Sequence, residues 1–140
     1  MSTLDSNMAS EFLVMSELYR LGLSPILTLG NKKEIDIVIQ KVDRTITIDV
    51  KGLKGTTNWP IGTREKLEHL SHLQNHFFCF VCYHNRFSNL SESPEIYIVP
   101  VQDTLTIAQP WRGQNQFVVF VRDLRRRANE FQDKWSFFFD

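Results

Sequence analysis

NKKEIDIVIQKVDRTITIDVKG, residues 31–52, is the stretch on which the fold turns. Ile35, Ile37 and Ile39 alternate with Asp36, Val38 and Gln40, and Ile46, Ile48 and Val50 alternate with Thr47, Asp49 and Lys51. A period of two in β-branched residues predicts two half-buried strands. Asp43-Arg44 is the expected turn centre, which pairs residue 42 with 45, 38 with 49 and 36 with 51. The isoleucines then share one face. Asp36, Asp49 and Lys51 share the other, with Asp36 and Asp49 diagonal neighbours about 7–8 Å apart between α-carbons. A slip of one residue would put them on different faces, so the inference depends on register.

Upstream, a helix is expected from about Asn7 to Leu21 after a polar start at 1–6, with Gly22 as its cap. Phe12, Val14, Met15, Leu18, Tyr19 and Leu21 project as one apolar stripe, with Glu11 near its middle and Glu17 on its flank. A carboxylate on a core-facing stripe is costly unless something satisfies it, although an acid in a first helical turn also favours the helix dipole. Downstream, 52–63 reads as a loop around Trp59, and a helix is expected over about 63–75. FFCFVCY at 77–83 reads as a strand covered on both faces. Further strands are expected at 95–99 and 117–121, with short helices at 101–108 and 123–131. The order predicts a single domain over 1–140 of α/β (α+β) class, with a mixed central sheet flanked by helices on both faces.

Composition narrows the function classes. Sixteen basic residues balance sixteen acidic ones, which disfavours a sequence-independent grip on nucleic acid over the whole surface. No apolar run reaches membrane-spanning length, and the N-terminus lacks the pattern of a signal peptide. Cys79 and Cys82 are too few and too close for a disulfide framework, so a reducing cytoplasm is expected. Their C-x₂-C spacing lies inside an apolar strand and reads as core rather than zinc. His69 and His72 lie on the wet side of their helix. Arg122 and Arg125–Arg127 read as a solvated face balanced by Asp123, Glu130 and Asp133.

The residues Asp36, Asp49 and Lys51 admit two readings. A half-exposed hairpin needs polar residues on its wet face. The same residues could hold a divalent ion, because Mg²⁺ takes hard oxygen ligands and keeps several waters. Asp36 and Asp49, the Val50 carbonyl and Glu11 are the candidate ligands, with Lys51 placed to orient a water or offset charge.

The whole pattern resembles the PD-(D/E)XK nuclease superfamily, the restriction-endonuclease-like fold that includes archaeal Holliday junction resolvases. The resemblance rests on SEFLVMSELYRLGL, KEIDIVI and ITIDVKG in that order, covers roughly residues 8–85, and departs from the name-giving motif at Ile35, where proline would stand. It implies Asp36 and Asp49 as metal ligands, Lys51 as the catalytic lysine and Glu11, or alternatively Glu17, as the helix carboxylate. It implies Mg²⁺ or Mn²⁺ as cofactor, DNA as partner and phosphodiester hydrolysis as the reaction. The family also includes members without nuclease activity, so the alternative is an idle scaffold serving as an accessory factor of a mobile element or defence system. Lys54, Trp59, Arg64 and Lys66, just after the motif, are candidate DNA contacts, Trp59 by stacking. Trp135 and Phe137–Phe139 would serve either a homodimer interface or the monomer core.

Overall fold

The alternating isoleucines become the inner face of a twisted sheet. A computed structural model describes residues 3–28 and 35–139. The elements are α1 (Thr3–Arg20), β1 (Ile26–Leu27), β2 (Ile37–Gln40), β3 (Thr45–Leu53), β4 (Asn58–Gly62), α2 (Arg64–Leu70), β5 (His76–Cys82), β6 (Glu95–Pro100), α3 (Val101–Ile107), β7 (Gln109–Pro110), β8 (Phe117–Phe120), α4 (Val121–Arg126) and α5 (Ala128–Phe131). A 3₁₀ turn at Trp135–Phe138 follows. The main sheet runs in the order β1-β2-β3-β5-β6, antiparallel throughout except for the parallel β3–β5 pair. Residues 31–34 of the expected hairpin, and the Gly30-Asn31 connection, lie outside the described residues.

The hairpin forms, but two residues out of the expected register. Ile37 pairs with Ile48 and Ile39 with Ile46, and Lys41 donates its N–H to the Arg44 carbonyl across a Val42-Asp43 turn. A shift of two preserves every face. Ile37, Ile39, Ile46 and Ile48 are fully buried, each contributing about 1.5–3 kcal/mol of transfer free energy. The paired register ends at Ile37 and Ile48, and the Asp36 N–H donates to the same Ile48 carbonyl, so the expected pairing of residue 36 with 51 does not form.

Two cores sandwich this sheet. On one face, Val14 and Leu18 of α1 and Phe138 of the 3₁₀ turn cover the isoleucines and Val50. The other face was expected to carry helices alone. It carries a second sheet, β4-β8-β7, together with α2 to α5. The stretch read as a loop over 52–63 thus holds the end of β3 and all of β4. Its prolines and glycines hid the strand, and only pairing with the distant β8 reveals it. All of β5 is buried, as its continuous apolar run requires.

Helix α1 differs from its apolar projection. Its buried residues are Ser6, Ser10, Val14 and Leu18, whereas Phe12 and Tyr19 are 57% and 60% exposed. It also starts at Thr3, inside the stretch expected as a polar lead-in before the helix. The reason is the partner surface: α1 crosses β3 at Gly52. A Cβ there would lie 2.4 Å from Ser10 Oγ and 2.5 Å from the Ser6 carbonyl oxygen. Only small helix residues fit against a bare glycine, so the serines face inward and the aromatics outward. Ser10 Oγ in turn donates to the Ser6 carbonyl at 2.5 Å. The C-terminal aromatics mainly close the monomer: Phe138 is fully buried, Trp135 and Phe137 pack against the same core, and Phe139 remains half exposed. Gly52→Ala is expected to cost about 2–3 kcal/mol in urea denaturation by overpacking this crossing. An unchanged midpoint would show that the helix does not sit so close.

Candidate active site

Two strands and two helices bring the candidate residues together. Asp49 and Lys51 stand on the face of β3 opposite the isoleucines, and Asp49 aligns with Phe78 of the parallel neighbour β5. That position removes it from water: Asp49 is 1% exposed. Asp36 sits just before β2. Its N–H donates to the Ile48 carbonyl, and its Oδ2 accepts the Val50 N–H at 2.7 Å. The carboxyl groups of Asp36 and Asp49 are also within hydrogen-bonding reach of each other. Because the N–H and C=O of one strand residue point to the same edge, the Val50 carbonyl shares that side with Asp36.

The lysines bracket the buried carboxylate. Lys51 Nζ lies 3.5 Å from Asp49 Oδ1, and Lys66 Nζ lies 3.9 Å from Asp49 Oδ2. Neither replaces water fully, because Asp49 Oδ2 is buried without a hydrogen-bond partner among the described residues. Burial drives the Asp49 carboxyl up to about 7, against the opposing pull of Lys51 and Lys66. That displacement disfavours the ionised form by roughly 4 kcal/mol. Burial also raises Asp36, although the Val50 N–H and Lys51 work the other way.

Glu11 is half buried and is raised to about 7, first by burial and then by the negative charge of Asp36, with Lys51 opposing. It is therefore the α1 carboxylate that feels the site. Glu17 turns away, pairing with Arg20 at 3.2 Å. Yet α1 packs on the isoleucine face, and Glu11 is coupled to Asp36 and Lys51 rather than to Asp49. Among the described residues, no three His, Cys, Asp or Glu side chains form a ready-made metal cluster. Mg²⁺ can be held by one or two carboxylates and waters, so the close pair Asp36 and Asp49, with its orphaned oxygen, suits that ion.

The expected DNA contacts divide. Trp59 cannot stack on a base: it is 1% exposed, packs against Phe80 and Tyr97, and donates its indole N–H to the Val81 carbonyl at 3.1 Å. Strand alternation in β4 points it into the core. Lys54 lies 4.0 Å from Asp5 and over the Phe87 ring. Arg64 lies over Phe117. Lys66 reaches the carboxylates themselves. Arg125, Arg126 and Arg127 pair with Glu95, Asp123 and Glu130, as expected of a balanced face. Cys79 and Cys82 are free and buried, and His72 is exposed beside Glu68.

His76 escaped the sequence reading. It is 1% exposed at the head of β5, its Nδ1 meets Thr47 Oγ1 at 2.7 Å, and its Nε2 is buried without a hydrogen-bond partner among the described residues. Burial and the nearby Lys66 push it down to about 4, so the ring is neutral at pH 7. The parallel β3–β5 register, which sets His76 beside Thr47, carries no local signal. Ser6 and Ser10, four residues apart, did carry one: a small-residue track suited to a glycine on the opposing strand.

No protein-family model and no curated protein sequence matches the chain. Among solved structures, it is similar to Hjc, a Holliday junction resolvase from the archaeal hyperthermophile Archaeoglobus fulgidus. The TM-score is 0.50 at 18% identity, covering 81% of this chain and 83% of the other. The fold is restriction-endonuclease-like. In this fold Glu11 lies on α1, Asp36 just before β2, and Asp49 and Lys51 on β3. No helix among the described residues is long and apolar enough to cross a membrane.

The raised carboxyls have a measurable consequence. Between pH 4 and 7 the native state holds protons on Asp49 and Glu11 that the unfolded chain has released, so metal-free stability falls as pH rises through that window. At pH 8, Asp49→Asn is expected to stabilise the metal-free protein by about 1–3 kcal/mol and to flatten its pH dependence. Thermal melts at pH 5 and 8 check this, and a destabilised Asp49→Asn at pH 8 contradicts it.

Proposed function

We propose that this chain is a Mg²⁺-dependent endonuclease that hydrolyses phosphodiester bonds in DNA. The observation that carries the reading is the buried Asp49 carboxylate, beside Asp36, with one oxygen unsatisfied among the described residues and Lys51 at 3.5 Å from the other. A protein keeps an ionisable group at such cost where chemistry needs it. Asp36 and Asp49 would hold the ion, with the Val50 carbonyl in reach and Glu11 adding negative charge from α1. Bound there, the ion supplies charge against the phosphate and an acidified water. Lys51 orients that water or offsets the charge that develops on phosphorus oxygens. In the reaction a water oxygen bonds to phosphorus, one P–O ester bond breaks, and the leaving oxygen takes up a proton. Phosphodiester and water thus give a phosphomonoester and an alcohol. Cutting two strands calls for two such centres, so the reading extends to a homodimer, to be checked by sedimentation.

The zero net charge favours the second reading, an idle module that binds nucleic acid or protein through the same scaffold. Incubation with plasmid, single-stranded and branched DNA in Mg²⁺ or Mn²⁺ separates the two. Cutting by wild type that drops by about 10²-fold or more in Asp49→Ala and Lys51→Ala is the expected result. Failure to cut any of the three substrates would leave the binding-module reading in place.

Metal affinity offers an independent check. Each proton that the ion displaces makes affinity rise by about tenfold per pH unit below the carboxyl's pKa. Mn²⁺ binding by calorimetry is therefore expected to strengthen up to about pH 7, where Asp49 and Glu11 titrate, and to level off above it. Mn²⁺ is also expected to raise the melting temperature of wild type and not of Asp36→Ala. A pH-independent affinity would place the ion elsewhere.

A further inference from the structure

Lys66 lies outside the hairpin motif, yet it enters the same centre. Thr63 caps α2 by accepting the Lys66 N–H on its side chain at 3.3 Å, which fixes Lys66 at the third position of the helix. The Lys66 stem then runs across Gly62, the last residue of β4. A Cβ on Gly62 would lie 2.5 Å from Lys66 Cδ and 3.2 Å from its Cβ and Cγ, and Gly62 has a φ of +132°. The bare glycine thus opens a channel for the stem, and the channel aims the ammonium at Asp49 Oδ2, 3.9 Å away. The same oxygen is the buried acceptor that no hydrogen bond satisfies among the described residues.

Charge arithmetic suggests what the second lysine is for. Ionised Asp36 and Asp49 carry two negative charges, and Lys51 and Lys66 carry two positive ones. The carboxylates are therefore already balanced before any metal arrives. A divalent ion on them leaves a surplus of two positive charges, or of one where Glu11 is ionised. A phosphodiester brings one negative charge and gains a second as hydroxide adds to it. Either surplus attracts the doubly charged transition state more strongly than the singly charged ground state, which is the condition for catalysis rather than mere binding.

Resting on the nuclease reading above, we propose that Lys66 is a second catalytic lysine, displaced from Asp49 by the ion and contacting a non-bridging oxygen of the scissile phosphate. Lys51 works from β3 and Lys66 from α2, on opposite sides of one carboxylate. Both side chains are about a fifth exposed (23% and 20%), so each can turn from the carboxylate toward a bound phosphate. Arg64, one turn-edge away over Phe117, is left to the flanking backbone.

The test uses the full chain in two arms. In the first, wild type, Lys66→Met and Lys66→Arg nick plasmid DNA in Mn²⁺. Lys66→Met is expected to lower kcat by at least about tenfold with Mn²⁺ affinity no weaker than wild type, and Lys66→Arg to recover part of the rate. In the second, acetylation of Lys66 by acetic anhydride is followed by mass spectrometry. Mg²⁺ is expected to speed it, and a duplex oligonucleotide added with Mg²⁺ to suppress it. Full-rate cutting by Lys66→Met overturns the inference and leaves the nuclease reading standing. If wild type cuts nothing, the nuclease reading falls, and the labelling arm decides alone. Release by Mg²⁺ followed by protection by duplex upholds Lys66 as a phosphate contact, and the lack of either response overturns it.

Discussion

One carboxylate organises this molecule. Asp49 lies in the parallel pair of β3 and β5, flanked by Phe78 and almost cut off from solvent. Its ionised form is disfavoured by roughly 4 kcal/mol. The four fully buried isoleucines on the opposite side of the same hairpin offset that cost, at about 1.5–3 kcal/mol each. The apolar face of the hairpin thus holds the strand in register, and the polar face carries the strain. Cations are the natural relief, and Lys51 and Lys66 supply part of it, while Oδ2 has no hydrogen bond among the described residues. The site is poised rather than satisfied.

Two close approaches of glycine set the geometry around that carboxylate. At Gly52 the absence of a side chain lets α1 descend onto β3, and the helix answers with Ser6 and Ser10. This crossing brings Glu11 close enough to feel Asp36 and Lys51. At Gly62 the absence of a side chain lets the Lys66 stem pass toward Asp49. Each glycine therefore admits one titratable group to the centre from an element outside the hairpin. The two groups differ in effect. Glu11 adds negative charge from the isoleucine side, and Lys66 adds positive charge from the second core.

The second core explains why Asp49 is buried and does not stand on a wet strand face. Trp59 and Ile61 of β4, with Phe117 and Val119 of β8, build a small sheet over the far side of β5 and β6. That sheet holds α2 in position and buries the indole expected to stack on DNA. Trp59 spends its one donor on the Val81 carbonyl, so it ties β4 to the central strand. The loop reading of 52–63 missed this strand, which ends at Gly62.

Much of this was legible along the chain. Period-two alternation in Ile35–Gln40 and Ile46–Lys51 determined two strands and put Asp36, Asp49 and Lys51 on one face. The apolar run at 77–83 determined a central strand. These are local properties, since side-chain direction follows from backbone period and a shift of two residues leaves it unchanged. The face of α1 was not local. Projection put Phe12 and Tyr19 inward, and packing against Gly52 turned them out, because the partner surface and not the helix's own hydrophobicity chooses what is buried. The short β4, the parallel register that pairs Thr47 with His76, and the approach of Lys66 to Asp49 all join residues far apart in sequence. Which residues carry charge, and on which side of a strand they stand, can be read along the chain. Which of those charges meet follows from packing, because burial and distance belong to the folded molecule.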